Sequence, residues 1–294
     1  MKRLYEEYFL TRTVEETLDI LSTFPGSAQI LSGGTDLLLE IQQGIHPPVR
    51  TVVDVTEIDE LRALEIRGEN LFIGAAVTLA RLVNSSLIGQ HAQALADAAI
   101  LMANPQVCNV ATIGGNVAHA LPAADGTIAL LALDAQAEVA NRDGRCRVPL
   151  QALFKGPGIS TLEAGMDLLV GFYLPLYGRG QASAFARRVN PQGIALAILN
   201  MAVWLECRAN HIQEIRIAVG PSGPIPSRMT AAESVLRGQI PSAQLSSQAL
   251  QALLAETHFR SSPHRATAEY RSHLAGVLLE EALSTAWARA KEKQ

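Results

Sequence analysis

The first third of the chain alternates short apolar runs with amphipathic stretches, the order expected of small α/β units. Thr13-Val14-Glu15-Glu16 is a capping box, a hydroxyl residue followed three positions on by Glu, and Leu18, Ile20 and Leu21 come after it. The spacing predicts a helix over 14–22. Pro25-Gly26 breaks that helix, Gln29 to Leu31 reads as a strand, and Asp36 onward, with Leu37, Leu38, Leu39 and Ile41, reads as a second helix. Pro47-Pro48 closes the unit ahead of a strand over 51–55. A second unit opens near Ile58, with a strand over 71–77, a helix over 89–102 and an apolar stretch over 128–133. Asn141-Arg142-Asp143-Gly144 predicts a hairpin, because Asp-Gly supplies positive φ. A strand over 168–174 ends at Pro175.

Beyond a linker at 177–181 the pattern changes. Long strands are predicted over 194–207 and 212–219 with a turn at Ala209-Asn210, then helices over 231–236, 246–254 and 263–290. Strands followed by a run of helices indicate an α+β unit. The expected division is 1–176, itself two subdomains near 1–57 and 58–176, and 181–294. No internal repeat or low-complexity segment is visible.

Composition narrows the function classes. With 294 residues the chain can bury a sizeable core, and 48% hydrophobic against 18% charged residues is an ordinary globular profile. Lys plus Arg is 24 against 28 Asp plus Glu, a net charge of -4, so no electrostatic footprint for nucleic acid or polybasic membrane patch is present. Glu6 and Glu7 follow Lys2 and Arg3 too closely for a signal peptide, and no apolar run is long enough to span a bilayer. The three cysteines, Cys108, Cys146 and Cys207, lie far apart without metal-ligand spacing, so neither zinc nor an iron–sulfur cluster is expected on this chain. The expected setting is a cytoplasmic one with reduced thiols.

The candidate chemistry lies in two glycine pairs, Gly33-Gly34 in Ser32-Gly33-Gly34-Thr35 and Gly114-Gly115 in Thr112-Ile113-Gly114-Gly115-Asn116. Turns without Cβ atoms let backbone N–H groups approach phosphate oxygens, and the dipole of a helix opening at Asp36 adds to that attraction. Two such turns suit a ligand with two linked phosphates, a class that includes FAD. Asp36 itself would repel a pyrophosphate, so it is expected to cap the helix or to tie down the loop by accepting N–H bonds. The seven histidines show no ligand spacing and read as surface or packing residues. Ser32 and Thr35 lack an Asp/His partner pattern, which removes a hydrolase reading.

With both glycine turns in place the chain resembles the FAD-binding medium subunit of the molybdenum hydroxylases, the xanthine dehydrogenase, carbon monoxide dehydrogenase and aldehyde oxidoreductase family. Further motifs in order carry the resemblance: Leu121-Pro122-Ala123-Ala124-Asp125, Phe154-Lys155-Gly156-Pro157-Gly158, Val219-Gly220-Pro221 with Pro226-Ser227-Arg228, and Tyr270-Arg271-Ser272-His273-Leu274. The resemblance implies an α+β chain, a vanillyl-alcohol-oxidase-like (PCMH-type) FAD-binding domain of two α/β subdomains followed by a C-terminal α+β domain. It implies FAD contacts from Leu31, Ser32, Gly33, Gly34, Thr35, Asp36 and Leu37 on the first turn. From the second it implies Ala111, Thr112, Gly114, Gly115 and Asn116. Asp125 would hydrogen-bond a cofactor hydroxyl, with a plain turn aspartate as the rival reading. Met102 would pack near the flavin ring and Leu169 would line the pocket. Arg228 and Arg271 would hold domains or subunits together.

One departure from the family pattern stands out. Some members follow the aromatic residue, here Phe185, with a Lys and then an Arg and an Asp near the isoalloxazine. This chain reads Phe185-Ala186-Arg187-Arg188-Val189-Asn190-Pro191-Gln192-Gly193, without the Asp, and Arg187 or Arg188 would carry the positive charge. Such a charge beside the flavin would favour the anionic reduced state, so the change bears on reduction potential and nicotinamide use. The implied function is an electron-transfer flavoprotein in a complex with a small 2Fe–2S subunit and a large molybdopterin subunit, which carry the metal centres. The rivals are a stand-alone flavin oxidoreductase of the same fold, such as the enolpyruvyl-sugar reductases, and a flavin-inert assembly scaffold. The residues leave the substrate and the acceptor (NAD, oxygen, quinone or ferredoxin) open.

Overall fold

The computed structural model describes residues 4–46, 49–190, 196–263 and 265–294. Pro47-Pro48, the first residues of the strand expected from 194, and His264 lie outside the described residues. The chain opens with β1 (Glu7–Leu10), α1 (Val14–Thr23), β2 (Ala28–Leu31), α2 (Leu37–Gln43) and β3 (Thr51–Asp54). These strands form a parallel sheet in the order β1-β3-β2. The capping box forms: Thr13 Oγ1 accepts from the Glu16 N–H at 3.0 Å and Glu16 Oε2 accepts from the Arg12 N–H at 2.8 Å. Val14, Leu18 and Leu21 are thereby turned into the core on one face of α1.

Next come α3 (Asp59–Arg62), β4 (Leu64–Arg67), β5 (Asn70–Gly74), α4 (Leu79–Val83), α5 (Ser86–His91), α6 (Gln93–Leu101), α7 (Pro105–Cys108), α8 (Ile113–Ala118) and α9 (Asp125–Ala132). The single helix expected over 89–102 is broken at Ala92, whose φ of -145° leaves the helical region. A new N-terminus follows, and the Ala94 N–H is bonded by Ser183 Oγ at 2.9 Å. Then follow β6 (Gln136–Asn141), β7 (Gly144–Pro149), a 3-10 turn over Leu150–Leu153, β8 (Phe154–Gly156), β9 (Ile159–Ser160) and β10 (Leu168–Pro175). The central sheet is antiparallel, in the order β4-β5-β10-β6-β7, and its β6–β7 hairpin turns at Arg142-Asp143 as the Asp-Gly pattern predicts.

The last part contains β11 (Gln181–Val189), β12 (Ala197–Arg208), β13 (His211–Gly220), β14 (Ser227–Arg228), α10 (Thr230–Leu236), α11 (Ala243–Glu256) and α12 (Ala268–Glu292). The strands pair antiparallel in chain order, and Ala209 and Asn210 make the β12–β13 turn with φ of 49° and 63°. Two expectations need correction. Gln181 already belongs to β11, a strand the sequence reading missed. The last helix starts at Ala268 and not at 263, because Thr267 caps it by accepting from the Tyr270 N–H at 3.2 Å.

Strand parity makes this sheet a shared wall. Ala182, Ala184, Ala186, Met201, Val203 and Leu205 pack with the helices α10 to α12, while Phe185, Ala202 and Trp204 join the core of the preceding part. Arg187 and Asn200, opposite each other in the β11–β12 register, fall on that second face, towards α6 and α9. Arg188 falls on the other, where it pairs with Glu281 at 2.6 Å.

Candidate functional site

An open cleft lies between the parallel sheet and the central sheet. Its wall includes Gln29 and Ser32 from the end of β2, Gly114, Gly115 and Ala118 from α8, and Leu169 from β10. The loop before β10 closes it with Ser160, Glu163 and Asp167. The loop after β2 and the start of α8, each bearing a glycine pair, therefore converge on one space, the first through Ser32 and the second through Gly114 and Gly115. Nothing in the sequence marked Gln29 or the 160–167 loop as part of it.

The two segments are built differently. Ser32 to Asp36 form a loop with Gly34 at φ +68°, and their backbone N–H groups find no acceptor among the described residues. Ser32 Oγ is buried and also has no hydrogen-bond partner. Buried polar groups in a folded chain are ordinarily paired, so the orphaned Ser32 Oγ, beside the free donors of a half-buried loop, marks a place that a ligand can complete. The second pair is not a turn, which corrects the expectation. Gly114 and Gly115 lie in the first turn of α8, capped by Thr112, whose Oγ1 accepts from the Gly115 N–H at 3.2 Å. The Gly114 N–H bonds Ala75 O at 2.8 Å and the Asn116 N–H bonds Thr112 O at 3.1 Å, so these amides are already used. Glycine is needed here for approach: a Cβ on Gly114 would fall 2.5 Å from Ala75 O. At Gly115 a Cβ would meet only Thr112 Oγ1, leaving that face bare towards the cleft.

Asp36 does not cap α2. Its side chain makes no cap bond, and its carboxylate stands 3.7 Å from His119 Nδ1, while Glu40 Oε1 lies 3.1 Å from His119 Nε2. One helical turn separates Asp36 from Glu40, so both carboxylates reach the same imidazole. Leu31 and Leu37 flank the loop as the end of β2 and the start of α2, and Thr35 lies within it.

The remaining predicted residues gather on the far side of α8. Asn116 Oδ1 accepts from the Thr127 N–H at 3.2 Å, and its Nδ2 lies 3.8 Å from Met102 Sδ. Ala111 joins the two halves, since a Cβ on Gly33 would fall 2.8 Å from its Cα. Asp125 begins α9, and both its oxygens are taken: Arg187 Nη1 donates to Oδ2 and Asn200 Nδ2 to Oδ1. Arg187 Nη2 also donates to Leu101 O, beside Met102. Burial pushes the Asp125 carboxyl above the ordinary carboxylate range, against the opposing pull of Arg187 and Asn200. Neither Asp125 nor Arg187 lines the cleft. Asn200 was missed, because its partner lies far away in the sequence and an isolated Asn carries no signal. Nearby, a Cβ on Gly220 would fall 2.5 Å from Pro122 O, so two of the sequence motifs meet.

Residues 4–177 match the family described as the FAD binding domain in molybdopterin dehydrogenase, and residues 184–286 match the CO dehydrogenase flavoprotein C-terminal domain. The chain belongs to this flavoprotein family. The xanthine dehydrogenase FAD-binding subunit of Escherichia coli O157:H7 is 30% identical over 98% of both chains. The nicotine 6-hydroxylase medium subunit of Paenarthrobacter nicotinovorans is 32% identical over 96% of this chain and 97% of its own. Among solved structures, a carbon monoxide dehydrogenase from Hydrogenophaga pseudoflava that lacks the Mo-pyranopterin moiety superposes with a TM-score of 0.92. It is 29% identical and covers 98% of this chain and 99% of that one.

The flavoprotein subunit is thus of the oxidoreductase type, and its cofactor is FAD. The residues present fit that group. The unpaired amides of Ser32 to Asp36 and the orphaned Ser32 Oγ suit phosphate oxygens, and the apolar wall from Leu169 and Ala118 suits an aromatic ring. No helix among the described residues is long and apolar enough to cross a membrane, and no three His, Cys, Asp or Glu side chains among them are placed to hold a metal ion.

Proposed function

We propose that this chain is the electron-transferring flavin subunit of a molybdenum hydroxylase complex. It would receive electrons from a small 2Fe–2S subunit, itself served by a large molybdopterin subunit, and pass them to an external acceptor. The unpaired amide run of Ser32 to Asp36, which starts at the cleft wall with Ser32, carries the reading, because it supplies the donors that a dinucleotide diphosphate requires. FAD supplies the redox chemistry when bound, accepting electrons singly or in pairs. The chain's own residues bind and orient it: Ser32 to Asp36 at the diphosphate, Gly115 by its bare face, and Leu169 and Met102 by apolar packing. Asp125 and Arg187 act one layer out, fixing the Leu101–Met102 end of α6 against the C-terminal sheet.

We also propose the division into 1–176, with subdomains near 1–57 and 58–176, and 181–294. The three larger sheets and two hydrophobic clusters support it. The medium-subunit relative supports a multi-subunit assembly. The test is to purify the chain, record its visible spectrum and identify the flavin released on heating. FAD near one per chain, and assembly with 2Fe–2S and molybdopterin chains supplied together, is the expected result. FMN, or no flavin in folded protein given excess FAD, would overturn the cofactor site. FAD without assembly would favour the stand-alone oxidoreductase.

A further inference from the structure

The unpaired amide loop is held at both ends by contacts to the same partner segment. At its start Gly33 packs on the Val110–Ala111 backbone, where an added Cβ would fall 2.2 Å from Val110 O. At its far end, Glu40 and Asp36 meet His119, the residue that terminates α8. Among the described residues, Glu40–His119 is the one side-chain hydrogen bond that α2 makes to any other element. The parallel and central sheets have other links, such as Arg142 with Asp19 and Arg145 with Glu15, but these run from the β6–β7 hairpin to α1. Along α2 nothing polar apart from the histidine opposes a swing away from α8.

We propose that His119 is a positioning residue that clasps α2 to α8 and thereby slows the departure of FAD. This rests on the reading that the cleft walled by Ser32 and α8 holds the cofactor. A dinucleotide whose diphosphate sits on the Ser32–Asp36 amides leaves by separating that loop from α8, which breaks the His119–Glu40 bond. Neither Glu40 nor His119 lines the cleft, so the loss of their bond would act on release through the loop and not through a contact to the ligand. Each of the paired side chains keeps nearly a third of its exposure, which limits the effect of a single bond to a modest factor.

The test compares FAD release from holo-protein, followed by the recovery of flavin fluorescence on dilution, in wild type, His119→Ala, Glu40→Ala, the double variant and His119→Gln. Each alanine variant is expected to release FAD about fivefold faster, an upper value for an exposed pair. The double variant should be no faster than His119→Ala, which already removes the bond to Glu40. His119→Gln, which can still donate to Glu40, should stay within about twofold of wild type. Unchanged rates in both single variants, multiplied effects in the double variant, or a parallel drop in the melting temperature of flavin-free His119→Ala would each overturn the clasp. A wild-type chain that takes up no FAD at all would instead overturn the cofactor reading, before any rate is measured.

Discussion

Arg187 and Asp125 form an ion pair between β11 and the first turn of α9, with 9% and 7% of their side chains exposed. An ion pair so shielded from water has a known asymmetry. Removing one partner strands the other, whereas removing both charges costs much less. The positive charge that the family pattern assigns to the flavin ring is here engaged by a carboxylate.

Arg187→Ala is therefore expected to destabilise the flavin-free protein by about 3–5 kcal/mol in urea unfolding, and adding Asp125→Asn should restore much of that loss. If the single variant unfolds like wild type while its flavin potential moves, the pair does not hold the two layers together and the guanidinium acts on the ring.

Ser32→Ala isolates the orphaned hydroxyl. Ser32 Oγ has no partner among the described residues, so its removal should leave flavin-free stability unchanged or slightly raised. FAD affinity should fall about five- to tenfold, one hydrogen bond's worth. Titration of the two proteins with FAD checks this, and equal affinities would mean that the hydroxyl does not meet the cofactor.

The glycines separate packing from binding. Gly33→Ala forces a Cβ against the Val110 carbonyl, and overpacking of that kind costs about 1–3 kcal/mol, so both melting temperature and flavin content should drop. Gly115→Ala meets only the Thr112 hydroxyl at 3.2 Å, and it should lower flavin content with a near-normal melting temperature. A Gly115→Ala protein with full flavin content would remove that bare face from the site.

His91 gives a pH signature. It is buried at the end of α5, and its Nδ1 accepts from the Tyr177 N–H at 3.0 Å, a bond that needs the neutral ring. Burial, and then Lys293, hold its pKa below the ordinary histidine value. The unfolded chain consequently takes the proton first as pH falls. Stability is fully present above the ordinary value near ~6.5 and is lost as pH drops through the lower folded value. Melting temperature should decline between pH 7 and 5 in wild type, and the decline should be shallower in His91→Gln. Identical slopes would exclude His91 as the titrating group.

Much of this was legible in the sequence where a signal is local. The Thr13–Glu16 box, the Asp-Gly hairpin and the Ser32–Asp36 loop all rest on residues within one turn of each other. The misreadings share a cause. Gly114-Gly115 resembles a turn on composition, yet Thr112 is a good N-cap, and a cap followed by glycines can equally open a helix. The break at Ala92 depends on Ser183 capping from a distant strand, and β11 was read as partly linker because its pairing partner is a long strand downstream. His119 and Asn200 were silent for the same reason. Their roles come from Glu40 and Asp125, which no spacing rule connects to them.

The uneven use of main-chain amides in the two glycine segments has a consequence for isotope exchange. In α8 the N–H groups of Gly114, Gly115 and Asn116 are bonded with or without cofactor, so their deuterium uptake should report only the opening of the helix. Those of Ser32 to Asp36 have no acceptor among the described residues, and on the proposed reading they gain protection only from the ligand. The ratio of uptake between the two segments, measured in one sample, would track the fraction of chains that carry FAD without any reference to colour.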